Sequence, residues 1–124
     1  MLTIHSTPEL RSPVLLCAFS GWPDAGEAAS GALDYLVAEW TYKPAGLVSY
    51  GGVSGGLRAA QALKLLLTTL KVMPIPEGVA VPHFQQFLDE DGTFKPNKLV
   101  EKSATTMLGE LLRWAEALKP LRAA

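Results

Sequence analysis

Apolar positions along the chain change their spacing from stretch to stretch, and each change marks an element. Leu2-Thr3-Ile4-His5 alternates apolar and polar, which predicts a short edge strand. Val14 to Phe19 is almost wholly apolar and predicts a strand covered on both faces. Gly21-Trp22-Pro23 turns the chain, and Asp24 with Glu27 makes a capping-box-like helix start. Ala28, Ala29, Ala32, Leu33, Leu36, Val37 and Trp40 then recur at helical spacing. Gly26 and Gly31 each weaken that helix by up to about 1 kcal/mol relative to alanine. Lys43-Pro44 ends it, and Ala45 to Ser49 predicts a second buried strand.

The second half continues the alternation. Leu57 to Leu70 predicts a helix whose leucines at 57, 63, 65, 66, 67 and 70 are too many for one stripe. That breadth implies burial on more than one side, by the sheet and by another helix or a second copy. Pro74, Pro76 and Gly78 confine any strand between Lys71 and Val81 to Gly78–Val81 or to the residues around Val72. A single helical turn is expected over His83–Leu88 and a turn at Asp89-Glu90-Asp91-Gly92. Pro96-Asn97 opens a last helix with Leu99, Val100, Ser103, Met107, Leu108, Leu111, Leu112, Ala115 and Leu118 inward, and Pro120 closes it. Strands alternating with helices predict an α/β fold: one domain spanning 1–124, with a mostly parallel sheet and helices on both faces. Three parallel strands leave an unpaired outer edge, so a homodimer is expected.

Between the second buried strand and its helix lies the stretch of most chemical interest, Tyr50-Gly51-Gly52-Val53-Ser54-Gly55-Gly56. Glycines take positive φ and let main-chain N–H groups approach a ligand closely, and the helix start adds partial positive charge. Strand, glycine-rich turn and helix in this order is where doubly wound folds hold phosphates and flat cofactors. The same turn also serves purely to pack a helix on a sheet, and spacing alone leaves both readings open.

Composition narrows the rest. The 124 residues are 48% hydrophobic and 19% charged, enough to build a packed core. A formal net charge of −1, with no basic field in either half, argues against nucleic acid or an anionic membrane as partner. No apolar run is long enough to span a bilayer, and the N-terminus lacks a signal-peptide pattern. Cys17 is the sole cysteine, which fits a reducing cytoplasm and reads as a buried small hydrophobe. His5 and His83 lack metal-ligand spacing, and the Asp89–Gly92 turn lacks the ligand spacing of a calcium loop. Ser54 lies in no Gly-x-Ser-x-Gly elbow. Trp22, Trp40 and Trp114 read as packing anchors.

Several motifs together carry a resemblance. Ala32-Leu33-Asp34-Tyr35-Leu36, Glu39-Trp40, Lys43-Pro44, the block from Val48 to Arg58, Asp89-Glu90-Asp91-Gly92 and Leu111 to Leu118 make residues 32–122 similar to the C-terminal half of NADPH-dependent FMN reductases. The resemblance implies a truncated flavodoxin-like, Rossmann-like fold completed by a second chain. It also implies FMN as cofactor, NADPH as substrate, and Tyr50, Gly51, Gly52, Ser54, Gly55 and Gly56 beside the flavin ring. The first thirty residues depart from that family, since its Gly-Ser-x-Arg phosphate loop and Pro-Glu-Tyr-Asn segment are absent. Pro8-Glu9-Leu10, Ser12 to Leu16 and Phe19-Ser20-Gly21-Trp22-Pro23-Asp24-Ala25-Gly26 instead make residues 6–31 resemble the N-terminus of the proteasome assembly chaperone family.

The chain thus reads as a mosaic of residues 1–31 and 32–124, joined around Ala28 to Leu33. A phosphate without donors forgoes charge-assisted hydrogen bonds worth about 1.5–3 kcal/mol each. The expectation is a cytoplasmic, self-associating domain with part of a flavin site and no efficient catalysis. An active NADPH-dependent FMN reductase is the alternative, and a chaperone-like module that binds proteasome subunits is a second.

Overall fold

The computed structural model describes the strand backbones Thr3–His5 and Leu15–Ser20, and residues 40–123. Four strands form one sheet: β1 (Thr3–His5), β2 (Leu15–Ser20), β3 (Pro44–Gly51) and β4 (Met73–Pro82), in the order β1-β2-β3-β4. β1 is antiparallel to β2, while β2, β3 and β4 run parallel. Helix α1 (Leu57–Thr69) connects β3 to β4. A 3-10 turn (Phe84–Phe87) follows β4, and α2 (Lys98–Ala123) closes the described chain. The helix expected over Asp24–Trp40 lies outside the described residues except for Trp40.

β3 is buried on both faces, which accounts for its unbroken apolar run. On one face Ala45 and Leu47 pack with Trp40, Ala60, Leu63, Leu67 and Val72 beneath α1. On the other, Ile75, Val79 and Val81 pack with Met107 and Leu111 of α2, and Val48, Tyr50 and Trp114 join them. Gly46 sets the approach of α2. A Cβ there would sit 2.8 Å from Leu111 Cδ1 and 3.0 Å from Met107 Sδ.

The α1 stripe is narrower than its leucines suggest. Ala60, Leu63 and Leu67 are buried, whereas Leu57 and Leu65 are exposed. Among the described residues α1 packs on the sheet and on Trp40. Its C-terminus is closed by backbone: Lys71 takes φ 57°, and the Val72 N–H donates to Leu67 O at 2.9 Å.

β4 is ten residues long, not the short strand predicted. Pro74 and Pro76 read as breakers when taken locally. They are accommodated because β4 ends the sheet order, where a missing N–H need not break a ladder. The register is irregular where Ala45 pairs with Pro74 but Leu47 pairs with Gly78, so β4 carries two additional residues there.

Asn97 caps α2, its side-chain oxygen accepting from the Val100 N–H at 2.9 Å. The helix continues through Pro120 instead of stopping there. Only three helical residues follow the proline, so the interruption falls in the final turn, and Arg122 steadies that turn by donating to Tyr42 O and Ala115 O, each at 3.1 Å. The inner face is also narrower than predicted. Met107, Leu111 and Ala115 are buried, while Leu99, Leu108 and Leu112 are exposed. The molecule is an α/β fold of flavodoxin-like character, with a mostly parallel sheet and helices on both faces. Among the described residues no helix is long and apolar enough to cross a membrane.

Candidate functional site

β3 delivers Tyr50 and Gly51 to the C-terminal end of the sheet, and the loop from Gly52 to Gly56 turns back into α1. Two glycines are demanded by this path. Gly55 (φ 57°) and Gly56 (φ 76°) are left-handed and buried. A Cβ at Gly56 would lie 2.8 Å from Tyr50 O, and one at Gly55 3.0 Å from Pro82 N. Gly51 is close to the returning loop, its Cβ position 3.2 Å from Gly56 N. Gly52 is different: a Cβ there meets nothing within 4 Å.

The loop is held by its own backbone. The Gly52 carbonyl accepts from the N–H groups of Gly55 at 3.2 Å and His83 at 2.9 Å, and Ser54 O accepts from Leu57 N–H at 3.1 Å. Gly52, Val53 and Ser54 form an exposed tip. No side chain caps α1, and its first turn holds no acidic residue. The loop therefore offers an uncovered flat tip beside a helix start that favours negative charge.

Tyr50 joins this loop to a second feature. Its ring meets the ring of Phe84 edge-on, with centroids 5.1 Å apart and planes at 72°. Both rings line a cleft of about 450 Å³ between the upper halves of β3 and β4, the segment from Phe84 to Pro96 and the first turns of α2. Val48, Val79, Val81, Phe94, Val100 and Ala104 supply further apolar wall, and among the described residues Glu101 is the one acid. The sequence marks Tyr50 but not the rest, because residues from 48 to 104 converge only through tertiary packing. The alternation of Val79 and Val81 is the one local signal.

The other candidates resolve as structure where they are described. Asp89 accepts from the N–H groups of Asp91 at 3.0 Å and Thr93 at 2.9 Å, and pairs with Lys95 at 3.0 Å. The Thr93 N–H, then Lys95, hold its carboxyl below the ordinary value. Among the described residues no three His, Cys, Asp or Glu side chains cluster as metal ligands. Trp40 is buried beneath α1, and Trp114 packs against the α2 core. His83 follows β4 in a left-handed conformation (φ 49°). Trp22 and the side chains of His5 and Cys17 lie outside the described residues.

No curated protein matches the chain. The match to a family model starts within the Ala28–Leu33 stretch where the two resemblances adjoin, and it takes in β3, the glycine loop, α1 and β4. Residues 28–86 match the model of the NADPH-dependent FMN reductases, so the candidate loop lies in reductase-type sequence on a flavodoxin-like fold.

Proposed function

We propose that this is a self-associating, cytoplasmic domain of FMN-reductase type that holds the ring of a flavin at Tyr50, Gly51, Gly52, Ser54, Gly55 and Gly56, without efficient catalysis of its own. One observation carries the reading: an open glycine tip at the end of the central strand β3, inside the stretch matched by the reductase family. Tyr50 borders the ring, Gly52 leaves room for it, and Gly55 and Gly56 shape the turn. A bound flavin supplies the hydride-accepting ring, and the chain positions it. The Gly-Ser-x-Arg phosphate loop is missing from the sequence, which removes the strongest contacts of a mononucleotide. The chaperone-like segment ahead of residue 32 stands in its place, and we read the chain as a join of two α/β families.

The family match also favours a second reading, an active reductase passing a hydride from NADPH to FMN. Absorbance of the purified protein and NADPH oxidation with added FMN separate the two. Slow or no turnover is expected, and turnover at rates ordinary for enzymes, about 1–1,000 per second, overturns the first reading. Light scattering tests self-association: a mass of two chains is expected, and a stable monomer contradicts it.

A further inference from the structure

The cleft beneath α2 shares Tyr50 with the flavin reading, but the rest of its wall has no task there. At about 450 Å³ it lies within the range of small-molecule pockets, roughly 300–1,000 Å³. Valine, alanine and aromatic carbons make up nearly all of its wall, so a water inside finds few partners. Among the described residues that line it, Glu101 is the one acid and none is basic. Val100, Glu101 and Ala104 line the cleft from one flank of α2, and among the described residues neither Lys98 nor Lys102 lines it. Among the described residues Asp89 and Glu110 have cationic partners, whereas Glu101 makes no ion pair.

We propose that this cleft is a binding site for a compact aromatic or aliphatic molecule carrying one amine. The apolar body sits against Val48, Val79, Val81 and Ala104, and the ammonium faces the Glu101 carboxylate. An apolar wall with one acid at its edge selects against carboxylates and phosphates, because no cation among the described lining residues receives them. The site therefore discriminates by charge in the opposite sense to a phosphate-binding loop.

Methyl-labelled protein titrated with naphthylmethylamine, naphthalenemethanol or naphthoate tests this. The amine is expected to give saturable shifts of the Val48, Val79, Val81 and Ala104 methyls. The alcohol should bind about fivefold more weakly, and naphthoate weakest of the three. Glu101 is exposed, so Glu101→Gln leaves the fold intact. It should lower amine affinity about fivefold and leave the alcohol unchanged. The proposal is overturned if these methyls do not shift saturably, if amine and naphthoate bind alike, or if Glu101→Gln leaves amine affinity unaltered.

Discussion

The carbonyl of Gly52 accepts a hydrogen bond from the backbone N–H of His83 at 2.9 Å, so the glycine tip that leaves β3 is fastened to the residue that follows β4. His83 makes this bond from a left-handed conformation that only a few per cent of non-glycine residues adopt. Proline at 83 would remove the donor and require a φ near −65° where the chain has 49°. His83→Pro should therefore cost about 2–3 kcal/mol in urea unfolding and speed amide exchange at Gly55.

Gly56 and Gly52 should separate under the same substitution. Gly56→Ala sets a Cβ 2.8 Å from Tyr50 O at φ 76° and should destabilise by roughly 2 kcal/mol or more. Gly52→Ala meets open space and should stay within about 0.5 kcal/mol of the parent. If the tip holds a flavin ring, Gly52→Ala should still weaken flavin binding. A loss of binding without a loss of stability distinguishes ligand contact from folding.

Leu111 and Leu112 are neighbours in sequence with opposite fates. Leu111 is 1% exposed against Met107 and β4, while Leu112 is 65% exposed. Leu111→Ala should cost about 2–5 kcal/mol, and Leu112→Ala within about 0.5 kcal/mol for the isolated chain. Denaturant melts of the two variants check the inner face of α2.

Acid should loosen the turn after the 3-10 segment. The folded-state carboxyl of Asp89 titrates below its unfolded value, held there first by the Thr93 N–H and then by Lys95. Its contribution is present above the ordinary carboxylate range and is lost as the pH falls through the lowered value. Wild type should melt slightly above Asp89→Asn at neutral pH, and the gap should close as the pH drops below about 4. Thermal melts across that range test the sign.

How legible these features are in sequence depends on whether their cause is local. The strand Ala45–Ser49, the loop and α1 announce themselves because burial on both faces of β3 and the left-handed turn at Gly55–Gly56 impose residue types at fixed spacing. The Asp89–Gly92 turn is legible for the same reason, since Asp89 bonds backbone groups two and four residues on. β4 is not, because Pro74 and Pro76 are tolerated only at the edge of the sheet, and an edge position is a property of the assembled sheet. Leucine identity likewise does not say which flank of α2 meets the sheet, so apolar spacing puts Leu99, Leu108 and Leu112 inward although they face out. The cleft is the extreme case, since Tyr50, Phe84 and Glu101 share no local pattern.

Parallel titrations with FMN and riboflavin, followed by flavin fluorescence, probe how the loop grips its ligand, since the two differ only by the phosphate. If the chain contributes the ring wall alone, both quench saturably and their affinities agree within about threefold, a difference below about 0.7 kcal/mol. FMN binding about a hundredfold tighter than riboflavin, roughly 2.7 kcal/mol, would reveal a phosphate anchor and refute the partial site. Failure of both to bind would remove the flavin from Tyr50–Gly56 altogether.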